Sequence, residues 1–139
     1  KVTVKYKNIT LREGIDYKVV YKNNKKIGTA KIYVIGLNNF KDSNTYKMKI
    51  IPAKTKITKK KATKKKITLK LKKVKGATGY QVMYSLKKNF KGKKKINTKK
   101  RTVVIKRKKS GKYYVKVRAY KKIGKKYVYG NYTKRITIK

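Results

Sequence analysis

Proton transfer, nucleophilic attack and metal ligation draw on a short set of side chains, and this sequence holds few of them. It has no histidine and no cysteine, and its three carboxylates, Glu13, Asp16 and Asp42, all fall within the first 42 residues. General acid-base catalysis needs a histidine, a perturbed carboxylate or a thiol at the reacting atom. A lysine nucleophile needs a desolvated pocket, and no lysine here is set apart from its neighbours. Zinc and calcium sites need clustered His, Cys, Asp or Glu. The expectation is therefore no enzyme, no cofactor and no metal.

What the residues can do is bind anions. Lys and Arg number 47 against 3 acids, for a formal net charge of +44. Lysine interleaved with aromatic residues suits polyanions. Four groups stand out: Tyr114, Lys116, Arg118 and Tyr120 as the outward face of a strand; Lys106, Arg107, Lys108 and Lys109; Lys93, Lys94 and Lys95; and Lys121, Lys122, Lys125 and Lys126 within KKIGKK. The last three groups read as turns. Only 5 of the 47 basic residues are Arg, which disfavours base-specific readout by bidentate guanidinium contacts. The expected partners are an anionic cell-wall polymer or an acidic polysaccharide, with a non-specific nucleic-acid backbone as the alternative. Codon bias toward lysine, or a need for solubility, would give the same excess without any ligand.

The charge is unevenly placed. Residues 1–53 hold 12 of the basic residues and all 3 acids, while 54–139 hold the other 35 and no acid. The second part therefore has no internal salt-bridge partner, and repulsion among its lysines must destabilise it except where salt screens them.

Such charge would ordinarily mean disorder, but the apolar residues are patterned. Val2, Val4 and Tyr6 alternate with polar residues, as do Tyr17, Val19 and Tyr21, then Ala30, Ile32 and Val34, then Tyr46, Met48 and Ile50. Asn23, Asn24, Gly14, Gly28 and Gly36 punctuate these runs. After a polar junction at 53–66, expected to be extended and solvated beyond a short strand at Ile57, the period-2 pattern resumes with Ile67, Leu69 and Leu71. It continues with Tyr80, Val82 and Tyr84, which alternate with outward Gln81 and Met83, and Gly76 and Gly79 supply the launching turn. Further strands fall at 102–105, at 113–120 and at the end, with Ile136 and Ile138. The spacing predicts an all-β chain of short antiparallel strands.

Two resemblances refine this. The segments LREG (11–14), DY (16–17), YKNN (21–24), IGTA (27–30), GLNNF (36–40) and IIPA (50–53) resemble the small Ig-like repeat of bacterial surface proteins. The segments VKGATGYQVMY (74–84) and YYVKVRAY (113–120) resemble the fibronectin type III module of bacterial surface and secreted proteins. They imply two small β-sandwich modules in tandem, a partial Ig-like one over 1–53 and a fibronectin type III-like one over 54–139. In the first family a further strand precedes the position of Lys1, so the first module is expected to lack its first strand and to lean on a neighbour. In the second family a tryptophan usually stands where Leu71 is, so a smaller core is expected, and Tyr113 takes the place of a corner tyrosine bonded to the preceding loop.

The resemblances imply a non-enzymatic structural or adhesive module of a larger protein, extracellular or in the cell wall of a Gram-positive bacterium, with neighbouring domains in a longer chain. The alternatives are a nucleic-acid or general polyanion-binding protein, and a strand-complemented subunit of a self-assembling extracellular filament. No stretch approaches the roughly 18 apolar residues of a membrane span, and any export signal is expected outside this sequence.

Overall fold

A computed structural model describes residues 1–108 and 110–139. It is all-β, of sandwich type, and the described residues contain no helix long and apolar enough to cross a membrane. The chain divides into two compact units, Lys1–Ile50 and Ile51–Lys139.

In the first unit a short ribbon of β1 (Lys5–Tyr6) and β2 (Ile9–Thr10) precedes a three-stranded antiparallel sheet of β3 (Tyr17–Lys22), β4 (Gly28–Gly36) and β5 (Ser43–Ile50), in the order β3-β4-β5. The strand expected over 2–6 shortens to the two residues of β1. Asn23 takes the left-handed backbone that its turn requires, at φ 59°. Register places Tyr21, Ile32 and Tyr46 in one cross-strand row and Ala30 beside Met48. On that face Tyr17, Ala30 and Val34 are buried, whereas Tyr21, Tyr46 and Met48 are 46%, 55% and 47% exposed. The apolar face is thus only partly covered. The turn entering β3 is fixed by Asp16, whose carboxylate accepts from the Arg12 backbone N–H at 2.8 Å and from its side-chain Nε at 3.2 Å.

The second unit is built from two antiparallel sheets. One comprises β6 (Ile57–Ala62), β7 (Lys66–Leu71) and β10 (Thr102–Lys106), in the order β10-β7-β6. The other runs β12 (Lys126–Tyr129), β11 (Tyr113–Ile123), β8 (Gly79–Ser85), β9 (Lys94–Thr98), with β13 (Ile136–Ile138) also pairing to β11. Their facing residues form one core of Ile67, Leu69, Leu71, Tyr80, Val82, Val103, Ile105, Tyr113, Val115, Val117, Ala119 and Ile138. Full burial of each aliphatic side chain contributes about 1.5–3 kcal/mol. This core offsets the repulsion of the lysine coat.

Pro52 and Thr55 are buried in this second unit. Pro52 lies against Gly130, and the Thr55 hydroxyl donates to the Lys72 carbonyl at 2.8 Å.

Three elements depart from the sequence reading. The junction lysines are not simply extended and solvated: β6 runs to Ala62, paired with β7 through an irregularity at Ile57 and Lys59. β9 and β12 form where lysine runs suggested turns. β6, β9 and β12 each end a sheet, and an edge strand can pair its backbone on one side while its lysines stay in water and block pairing with another chain. Finally, Gly79 serves close approach rather than the turn. A Cβ there would stand 2.5 Å from the Thr98 carbonyl oxygen and 2.6 Å from the Tyr120 hydroxyl, whereas Gly76 supplies the positive φ of 77°.

Candidate anion-binding surface

Alternation along β11 sends Tyr113, Val115, Val117 and Ala119 into the core and Tyr114, Lys116 and Arg118 to the opposite face. That opposite face is not a bare basic patch. The segment 130–135 runs along the edge of β11, where the Gly130 and Thr133 N–H groups donate to the Ala119 and Val117 carbonyls, and it brings the Tyr132 ring to both cations. The Arg118 guanidinium lies 3.7 Å from the Tyr129 ring centroid and 4.4 Å from that of Tyr132. The Lys116 ammonium lies 4.7 Å from the Tyr132 centroid and 4.6 Å from that of Phe90. Arg135 sits over Tyr114 at 5.6 Å and donates to the Lys88 carbonyl. Cations and rings alternate, each cation attracted by the negative face of its ring.

A polar network under this layer explains why β8 does not alternate in and out. Gln81 is buried, with its Oε1 accepting from Arg118 Nε at 2.9 Å and from the Tyr132 hydroxyl at 2.7 Å, while its Nε2 donates to Asn97 Oδ1 at 2.9 Å. Met83 is buried beside it. Gln81 and Met83, expected outward, are therefore covered. Burial pushes the Tyr132 hydroxyl pKa up, against the pull of Arg118, so it stays a neutral donor.

Tyr120 does not belong to an exposed face either. It is buried, with Tyr127 and Tyr129 edge-on to it at 5.2 and 6.2 Å. Burial, with Tyr127 and Tyr129 adding to it, raises its pKa. Arg107, expected at a ligand-facing turn, acts as a clamp. It donates to the carbonyls of Thr63, Lys139 and Gly111 at 3.0–3.2 Å and lies over the Tyr113 ring.

The lysines are placed differently. Lys93, Lys94, Lys95, Lys106, Lys108, Lys122, Lys125 and Lys126 are exposed, and Lys121 is half-buried. Lys109 lies outside the described residues. Lys94 and Lys95 lie in β9, Lys106 in β10, Lys121 and Lys122 in β11 and Lys126 in β12, so strands rather than turns carry most of them. Their ladders fix where the ammonium groups emerge.

The tertiary structure also creates a site that no single segment announces. Residues from β8, β9, β10, the start of β11 and the turn after β8 come together there. The result is a groove of about 570 Å³ whose apolar lining includes Tyr84, Leu86, Ile96, Val104 and Tyr113. Lys87, Lys91, Lys94, Lys106 and Lys108 surround it. Three of those lysines were candidates from sequence. Lys87 and Lys91 were not, and their signal is the turn that holds them. The Ser85 hydroxyl donates to the Lys91 carbonyl and accepts from the Lys87 N–H, and Asn89 Oδ1 accepts from the Lys91 N–H. Ser85 and Asn89 at this spacing are turn residues.

Among the described residues no three His, Cys, Asp or Glu gather in a way that could hold a metal ion. No protein-family model matches the chain, and no curated protein matches it.

Proposed function

We propose that the chain is a non-enzymatic structural and adhesive part of a larger bacterial surface or secreted protein, working outside the cell or in the wall of a Gram-positive organism. In this reading an Ig-like module precedes a fibronectin type III-like module, and exposed lysines hold the second on anionic polymers of the wall or on acidic polysaccharide. The observation that carries it is the division of labour among the cations of the second unit. The planar guanidinium groups of Arg107, Arg118 and Arg135 are engaged with carbonyls and rings. The groups left in solvent are mostly lysine ammoniums, with no carboxylate in 54–139 to neutralise them. Ammonium groups act as hydrated point charges, suited to an irregular polyanion rather than to one defined planar ligand.

The test is a comparison of a teichoic-type polyphosphate, heparin and duplex DNA by titration at several salt concentrations. The expected outcome is binding to wall polymer at least as tight as to DNA of equal charge density, with log K falling linearly in log salt as counterions are released. Clear preference for DNA would favour the nucleic-acid alternative, and no binding at about 150 mM salt would end both.

A second reading, self-assembly, is favoured by one specific feature of the first unit, the exposed Tyr21, Tyr46 and Met48 that share one face of its sheet. A strictly monomeric species at high concentration would remove it.

A further inference from the structure

We infer that the groove between β10 and β9 binds a single-chain amphiphilic anion, an acyl or alkyl chain bearing a phosphate or carboxylate head. This rests on the anion-binding reading above and narrows it to one site. The groove differs from the rest of the lysine surface because its floor is apolar. Leu86 and Val104 are 43% and 49% exposed, and Tyr84 and Ile96 line the same groove. A polysaccharide or a bare polyphosphate offers nothing to cover them, whereas an alkyl chain does.

The lysines decide the sign of the ligand. Five of them surround the groove, and no carboxylate exists anywhere in 51–139, so a cationic amphiphile is repelled and a neutral one leaves five ammonium groups uncompensated. Size decides its form. About 570 Å³ lies within the 300–1,000 Å³ range of sites that enclose one small molecule. Insertion into a bilayer instead requires apolar groups that protrude, and here they line an indentation. The wall is also built in advance. Ser85 and Asn89 hold the 86–93 turn through three hydrogen bonds, and Phe90, at a φ of 59°, closes it with bonds to Lys87 and Lys93. Little ordering is left for the ligand to drive.

The experiment is a methyl and amide NMR titration of the full chain with dodecyl phosphate below its micelle concentration, beside inorganic phosphate, dodecyl maltoside and anionic vesicles. Dodecyl phosphate is expected to saturate at one equivalent, with shifts centred on Leu86, Ile96 and Val104, and to bind about tenfold or more tighter than either inorganic phosphate or the maltoside. Val104→Asp and Leu86→Asp, both at exposed positions that the fold does not need, should each weaken dodecyl phosphate about tenfold, while heparin, which meets one added negative charge among many cations, weakens by no more than about twofold. Unperturbed core resonances of β8 and β11 verify that each variant is folded. Shifts spread without saturation over the whole lysine surface, wild-type affinity in both Asp variants, or binding to vesicles alone would each overturn the inference. Heparin binding without dodecyl phosphate binding sinks the groove and leaves the polyanion reading standing. Dodecyl phosphate binding without heparin binding does the reverse.

Discussion

Arg118 offers the sharpest test of whether the outer face of β11 is a ligand surface or a structural layer. Replacing it with Lys keeps the net charge and removes the planar fork, so repulsion within the acid-free unit is unchanged. The losses are the Nε–H bond to the buried Gln81 and stacking against Tyr129 and Tyr132 at 3.7 and 4.4 Å. A hydrogen bond from a charged donor contributes about 1.5–3 kcal/mol. Each cation–ring contact at a half-exposed site contributes about 0.5–1 kcal/mol. An ammonium can recover one ring contact but not the paired stacking. Arg118→Lys should therefore destabilise the second unit by about 1–2 kcal/mol. Arg118→Met should cost about 2–3 kcal/mol, less a few tenths returned by removing one positive charge. Urea unfolding followed through the amide resonances of β8 and β11 measures this, and a double-mutant cycle with Tyr132→Phe should give a coupling of about 0.5–1 kcal/mol through the shared Gln81 Oε1. If Arg118→Lys lies within about 0.3 kcal/mol of wild type, or Arg118→Met is more stable, Arg118 is an ordinary surface cation and the structural argument fails.

Three further outcomes follow from the same physics. The melting temperature of the second unit should rise between about 20 and 500 mM salt, because its 35 basic residues repel one another with no acid among them, and a flat scan would refute this. Gly79→Ala should destabilise by about 3 kcal/mol, since the new methyl meets the Thr98 carbonyl at 2.5 Å, and denaturant unfolding with an unchanged midpoint would show that β8 can shift at no cost. In the first unit, hydrogen bonds from the Arg12 backbone and side chain hold the Asp16 pKa below its ordinary 3.8. The stability it contributes is thus present above that value and lost as pH falls through the lowered one. Asp16→Asn should lower the thermal midpoint of β3 to β5 at pH 7, with the gap closing in acid, and a gap independent of pH would count against the carboxylate.

Much of the fold could be read locally. β3, β4, β7, β10 and β11 each carry the alternation of a strand with one buried face, and the observed burial follows it at Ile67, Leu69 and Leu71 and at Val115, Val117 and Ala119; β5 alternates too, but its Tyr46 and Met48 stay exposed. β9 and β12 escaped because an edge strand is held by its neighbour's backbone and needs few apolar residues. Lysine there carries no periodic signal. The outer face of β8 escaped for another reason: Gln81 looks like a solvent residue until Tyr132, Arg118 and Asn97 arrive from 51, 37 and 16 residues away in sequence.

By itself the sequence determined the all-β class, the absence of histidine and cysteine, and the concentration of unbalanced charge in the second part. These depend on residue type and on near-neighbour spacing, which a linear chain states directly. Only the tertiary structure decided which cations remain available. Arg107, Arg118 and Lys116 are engaged with groups brought from distant segments, Tyr120 is sealed by the β12 tyrosines, and Lys87 and Lys91 join Lys94, Lys106 and Lys108 around an apolar groove. A cation's freedom is set by what folds over it, and a groove by which segments meet around it. Neither is a property of any local stretch.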